Sequence, residues 1–417
     1  MTYLRAYSVE GLPSAEVACR FGYTPGFFGV LSSLCLALVG GCSDSDQAEK
    51  ASNAAKPERT SIEGSPSTGA PRAPWEAELD RLAAAAAQEG ELLVYGHSGT
   101  ERRDVMLEFE KAYPAIDVKI TASPGDSAED ARLQAEWQEG VFHWDVLAAG
   151  DRWLLGSYKK LDHLQPIEAL IVRPDILDDK NWLGGFHANF MDAAGRYIYM
   201  FHIFIAETAF IRTDLVSQSE IATLGDLANP KFRGKIGWVD PRMGGMAAVQ
   251  ASFIYRTHGS SEVRQLLTTQ KPQVFANAQQ LIQNMLRTDD IWIAIGVDRP
   301  VLKKFTDEGL GKTIEKLECA DCLSQGGTGG FLAVPKKAPH PNAAKLFINW
   351  MLSAEGQTAW TRISKENSRR LDVPVANPER NPAPGSALYD FGLETHDHYT
   401  KYVNPTIRLA EEAMSGN

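Results

Sequence analysis

The chain has 417 residues, 44% of them hydrophobic, enough to build one large core or two of medium size, so two lobes are the default arrangement. Its formal charge of -11 is spread without a block of like sign, which leaves no continuous basic stripe for a nucleic-acid backbone and speaks against a nucleic-acid partner.

Arg5 and Arg20 precede an apolar run, Phe27-Phe28-Gly29-Val30-Leu31 through Leu36-Ala37-Leu38-Val39, with the length of a signal-peptide core rather than of a membrane span. It ends in Val39-Gly40-Gly41-Cys42, which resembles the bacterial lipobox. Residues 1–42 are thus expected to be a lipoprotein signal peptide, with the Cys42 thiol carrying diacylglycerol; an uncleaved anchor is the competing reading. From residue 43 to about 74 the composition turns to Ser, Ala, Pro, Gly and charged residues, too poor in large apolar side chains to offset the entropy of ordering. We read residues 43–88 as a flexible stalk that lets the body stand clear of the membrane.

The body alternates strand and helix signals. Leu92-Leu93-Val94-Tyr95 is a short buried-strand run, followed by a helix with Val105, Met106, Phe109 and Tyr113 on one face. Ser98 and Glu101 match a capping box, and Pro114 closes that helix. Ile116, Val118 and Ile120 alternate as a second strand, residues 128–137 form a second helix, and residues 144–149 form a third strand. The same grammar returns at Lys235-Ile236-Gly237-Trp238-Val239, at the helix from Met246, at Ile291-Trp292-Ile293-Ala294-Ile295, at Phe331-Leu332-Ala333-Val334 and at the helix from Pro341. This order predicts α/β architecture with parallel-rich sheets.

Of the cysteines beyond the leader, Cys319 and Cys322 are spaced for a short-loop disulfide in an oxidising compartment; a redox or metal pair is the sharper alternative, but no second ligand pair follows for zinc. No Gly-x-Ser-x-Gly elbow, His-Glu-x-x-His or phosphate-binding Lys loop is present, so the sequence supplies no motif for an enzyme.

Three segments are similar to the extracellular solute-binding proteins of ABC importers: Asp226-Leu227-Ala228-Asn229-Pro230-Lys231-Phe232-Arg233-Gly234-Lys235-Ile236, then Asp240-Pro241-Arg242, and Ala343-Ala344-Lys345-Leu346-Phe347-Ile348-Asn349-Trp350-Met351-Leu352-Ser353-Ala354-Glu355-Gly356-Gln357. The chain resembles most the subgroup that binds ferric iron, thiamine, polyamines and phosphorylated solutes. The resemblance implies a two-lobed periplasmic-binding-protein fold (type II) with crossover strands: residues 89–200 as the first part of lobe 1, 201–324 as lobe 2, and 325–417 as the return to lobe 1 plus a C-terminal extension. It implies a small-molecule solute and an ABC permease as partners, a monomer, no cofactor, no catalysis, and a periplasmic or cell-surface location on a lipid anchor.

In open α/β sheets ligands sit beyond the carboxyl ends of the strands. Four loops meet that description: Ser98, Gly99 and Thr100; Asp151 and Arg152; Asp240, Arg242, Gly244 and Gly245; and Asp298 with Arg299, to which Thr328 of the glycine run is added. Arg242 and Arg299 can each hold a carboxylate or phosphate through paired hydrogen bonds, or pair with the neighbouring aspartate instead. Ferric binders of this subgroup generally place adjacent tyrosines where this chain has Asp298-Arg299-Pro300, and Tyr197 and Tyr199 read as core or crossover residues, so the expectation is an anionic organic or phosphorylated solute and no metal. Residues after 367 are irregular and Pro-rich, ending in a helix-like stretch with Leu409, Ala410 and Ala413 on one side, which packs either on the first lobe or on the importer.

Overall fold

Residues 72–97, 100–123, 127–148, 162–326, 330–383 and 395–415 are described by a computed structural model. The first of them form helix α1 (Pro74–Glu89), which starts at a proline, has the Glu76 carboxylate accepting from the Ala73 N–H at 2.9 Å, and stops where Gly90 turns left-handed (φ 73°). This corrects the stalk reading, which ran to residue 88. Leu79, Leu82, Ala83 and Ala86 recur at helical spacing and press one face of α1 into the first lobe's core.

In that lobe β1 (Glu91–His97) lies between β2 (Asp117–Ser123) and β3 (Val146–Ala148), both parallel to it, with α2 (Thr100–Ala112) and α3 (Ser127–Gln138) as the crossovers. β4 (Tyr199–Met200) is then followed by β5 (His202–Glu207) and, after Thr208 alone, by β6 (Ala209–Arg212). The second lobe continues with β7 (Ile236–Val239), α4 (Gly245–His258), α5 (Ser260–Thr268), β8 (Gln273–Phe275), α6 (Ala278–Arg287), β9 (Ile293–Ile295), α7 (Arg299–Asp307) and β10 (Ile314–Lys316). Its sheet has the order β10-β6-β9-β7-β8, parallel on the β9-β7-β8 side and antiparallel on the other. The chain returns through β11 (Leu323–Gly326) to β12 (Phe331–Leu332), α8 (Pro341–Met351), α9 (Ala354–Ser364) and β13 (Asn367–Ser368).

Two passages therefore connect the lobes, β4-β5-β6 outward and β10-β11-β12 back, and the β11-β5-β13 sheet zips them together antiparallel. Each lobe keeps its own core. Phe109, Phe347, Trp350 and Trp360 fill the first, and Trp238, Phe253, Ile254 and Leu266 the second. A buried carboxylate fixes the return helix: Asp145, just before β3, accepts from the Leu93 N–H at 2.7 Å and from the N–H of His340, the residue before α8, at 2.6 Å. No helix among the described residues is long and apolar enough to cross a membrane.

The C-terminal stretch ends in α10 (Asn404–Met414), which lies on α4 and α5 of the second lobe, with Leu409 and Ala410 in that lobe's core and Arg264 paired to Glu412 at 3.0 Å. The tail thus packs on the second lobe, a correction to the expectation of the first lobe or the importer. Ahead of α10, Tyr399 and Val403 join an apolar cluster that holds Tyr95, Trp137 and Leu147 of the first lobe together with Ala248 of α4. The His396 N–H donates to the Met191 carbonyl at 2.9 Å. His398 is buried, 2.8 Å from the Ser252 hydroxyl, and burial, reinforced by Arg256, lowers its pKa to about 3.

A released tail takes up the His398 proton near the ordinary value of 6.5, whereas the packed tail stays neutral down to about 3, so the packed form loses stability as pH falls through that window. Hydrogen exchange of residues 395–415 is expected to accelerate relative to the lobes between pH 7 and pH 4, and His398→Gln to remove that pH dependence. An unchanged exchange profile across this range would contradict the assignment.

Candidate functional site

Charged side chains lie at both ends of β5, the central strand of the β11-β5-β13 sheet. On the first-lobe side, Arg102 in the opening turn of α2 reaches the Glu366 carboxylate at 3.2 Å and lies over the Trp360 ring, 5.9 Å from its centroid. Glu366 is also 3.2 Å from Nε2 of His202, the first residue of β5 and buried. Burial pushes the Glu366 pKa up, but His202 and Arg102 outweigh it and hold the group below the ordinary carboxylate range.

At the second-lobe end of β5, Glu207 is buried and takes both Nε (2.9 Å) and Nη2 (2.5 Å) of Arg299. Asp298 caps α7 by accepting from the Val301 N–H at 3.1 Å, and burial raises its pKa. The ends of these strands are set by Gln250 of α4: its Nε2 donates to the carbonyls of Glu207 and Val297, both at 2.8 Å, while its Oε1 accepts from the Gly296 N–H at 2.5 Å. Gly296 must be glycine, since its φ is +90° and a Cβ would stand 2.5 Å from that of Val239.

Arg380, from the short turn after β13, lies between these two ends. Its guanidinium stacks over Phe204 of β5 at 4.5 Å from the ring centroid, among Glu207, Arg299, Glu366 and Asp298. Burial, as the leading cause, lowers its pKa. Its Nε is buried without a hydrogen-bond partner, and it forms no ion pair with any described residue. Glu207 is engaged by Arg299, and Glu366 by Arg102 and His202.

Sequence analysis singled out Asp298 and Arg299, and they stand in this row. Asp240 and Arg242 partner each other in an exposed turn, with Arg242 Nη2 2.7 Å from Asp240 Oδ2, and the Asp240 carboxyl is held below its usual range chiefly by that guanidinium. Gly244 and Gly245 open α4, and α10 packs on the 241–243 turn. Thr100 opens α2. Ser98, Gly99, Asp151, Arg152, Thr328 and Cys42 lie outside the described residues.

Sequence reasoning did not pick out Arg102, His202, Glu207, Glu366 or Arg380. His202 and Glu207 carried a signal, because two polar residues bracket the apolar Ile203-Phe204-Ile205-Ala206. Arg380 carried none; it acquires its meaning only from the fold.

Cys319 and Cys322 are disulfide-bonded. With Asp321 they make the one cluster of three metal-ligating side chains among the described residues, and their sulfurs are spent on each other. Tyr199 is wedged among Trp182, Phe186 and Phe190, and burial raises its pKa well above the ordinary value, so it is a core residue and no phenolate donor.

Two lobes, two antiparallel passages between them and charged groups at the facing strand ends define a two-lobed periplasmic solute-binding protein. Residues 105–374 match the family of bacterial extracellular solute-binding proteins, and the chain belongs to that family. Among solved structures it is similar to iron-bound HitA from Pseudomonas aeruginosa, with 17% identity, a TM-score of 0.56, and coverage of 78% of this chain and 99% of that one. The ferric binding protein from Campylobacter jejuni matches with 17% identity, a TM-score of 0.57 and the same coverages. A Bordetella ferric binding protein matches with 16% identity and a TM-score of 0.56, over 78% of this chain and 100% of that one. No curated protein matches the chain.

Breaking the better-buried ion pair tests how firmly this junction is set. Glu207→Ala leaves the half-buried Arg299 with only the exposed Glu379, 3.7 Å away, and is expected to cost about 2–4 kcal/mol, measured by urea unfolding. A loss below ~0.5 kcal/mol would mean that water already screens the pair.

Proposed function

We propose that this chain is the lipid-anchored solute-binding component of an ABC importer and that it captures a small anionic organic or phosphorylated solute between its lobes. Membership of the extracellular solute-binding family supports the transport role. One guanidinium at the lobe junction carries the choice of solute: Glu207 and Glu366 are engaged by Arg299 and Arg102, Asp298 caps its helix, and Arg380 among them has no ion pair with any described residue. A partly desolvated guanidinium without an ion pair favours an oxyanion and disfavours a bare trivalent cation.

Ferric iron is the second reading, supported by the structural likeness to ferric binding proteins. Against it stand Asp298 and Arg299 at the end of β9 and the core position of Tyr199, which deprive a ferric ion of phenolate donors there. A secreted enzyme or a protein-binding lipoprotein would need a different site, and the sequence carries no catalytic motif that points to one.

The reading is tested by thermal shift against ferric ion, citrate, ferric citrate, sugar phosphates, phosphonates, thiamine and polyamines. Stabilisation by free organic anions or phosphate esters is the expected result. A shift with ferric ion alone would replace the anion with iron, and a shift with thiamine or polyamines alone would reverse the sign of the solute. For the anchor, Cys42→Ala is expected to move the protein from the membrane fraction to the soluble fraction of the expressing bacterium. Retention on the membrane would show that Cys42 is not the attachment point.

A further inference from the structure

The family match ends at residue 374, and the chain continues past it into the lobe junction. Asn377 in that continuation is pinned to β13: its N–H donates to the Asn367 side-chain oxygen at 2.8 Å, and its carbonyl accepts from Asn367 Nδ2 at 2.9 Å. The turn Pro378–Arg380 follows at once, so Arg380 is delivered onto Phe204 by a fixed backbone clasp rather than by a free side chain.

Four charged groups surround it, and two of them, Glu207 and Glu366, hold other cations. Asp298 spends an oxygen on its helix cap and is desolvated. The guanidinium stacks on Phe204, and among the described residues its Nε has no hydrogen-bond partner and the group no ion pair. Arg299 stands beside it as a second cation that is already paired. A partly desolvated guanidinium with a buried, partnerless Nε is costly unless something completes it, and its geometry suits two parallel hydrogen bonds to a carboxylate or phosphate group.

We propose that Arg380, carried by chain beyond the family match, receives the oxyanion of the solute at the lobe junction, with Phe204 as its stacking platform and Arg299 as a second, Glu207-held cation. The assignment rests on the anionic-solute reading above and adds to it the residue that makes the contact. Arg380 acts here as an anion receptor whose presence depends on the C-terminal continuation.

The test titrates the full chain in detergent micelles with citrate and, separately, with inorganic phosphate by calorimetry. Wild type is compared with Arg380→Gln, Arg380→Lys and the surface control Arg362→Gln. Wild type and Arg362→Gln are expected to bind one of the two anions alike. Arg380→Gln should weaken that binding by roughly 30-fold, the loss of a charged double hydrogen bond, with Arg380→Lys recovering part of it. Which anion binds tells a carboxylate from a phosphate solute. Urea midpoints within error of wild type for both Arg380 variants separate loss of contact from loss of fold. Wild-type affinity in Arg380→Gln overturns the role of Arg380 and leaves the anionic reading standing. Failure of wild type to bind either anion, with binding of ferric ion, thiamine or a polyamine instead, overturns both.

Discussion

The two strands that pass between the lobes are paired edge to edge, from Glu207 opposite Leu323 to Phe204 opposite Gly326. That pairing satisfies the backbone of both passages in the one place where the chain has left each lobe's own sheet. It also demands close approach. A Cβ on Gly326 would stand 2.5 Å from the Phe204 ring, and one on Gly330 would stand 2.0 Å from the Cβ of His202. Glycine at 326 and at 330 is therefore a packing requirement set by β5. Once the two passages form a single ribbon, the lobes share one hinge and whatever lines that ribbon is common to both.

Charge follows from this geometry. β5 carries an ionisable residue at each end, His202 toward the first lobe and Glu207 toward the second, and each meets a cationic group brought by the opening turn of a helix, Arg102 through Glu366 and Arg299 directly. Buried ion pairs add little net stability, but removing one member leaves the other stranded. They hold the two strand ends in register with the ribbon. Arg380 has no ion pair among the described residues, since Glu207 and Glu366 hold other cations and Asp298 caps α7.

The alternation of short buried runs with amphipathic helices made the α/β character legible in sequence, and β1, β7, β9 and α8 fall within a few residues of their expected positions. The family resemblance rested on segments that the structure places around β7 and along α8 and α9, where local packing constrains residue type strongly. Position at a strand end singles out Asp298 and Arg299 but cannot assign the partner of Arg299, since Glu207 lies about ninety residues earlier and meets it only through the crossover. Arg242 shows the reverse: an arginine in the right kind of loop whose partner, Asp240, is two residues away. α1 falls inside the stretch read as stalk; its alanines offer little hydrophobic weight, yet alanine is the best helix former, and Leu82 and Ala86 are buried in the first lobe's core.

The tail couples the packing of one lobe to that of the other. Tyr399 and Val403 have no apolar surface to enter until Trp137 and Leu147 of one lobe and Ala248 of the other are already in place, and α10 needs finished faces on α4 and α5. Residues 395–415 therefore bury apolar surface against both lobes at once, so their packing depends on the native packing of each. A fault in either lobe would leave the tail undocked and its apolar side chains exposed, an early mark by which quality-control proteases can distinguish a misfolded copy from a finished one.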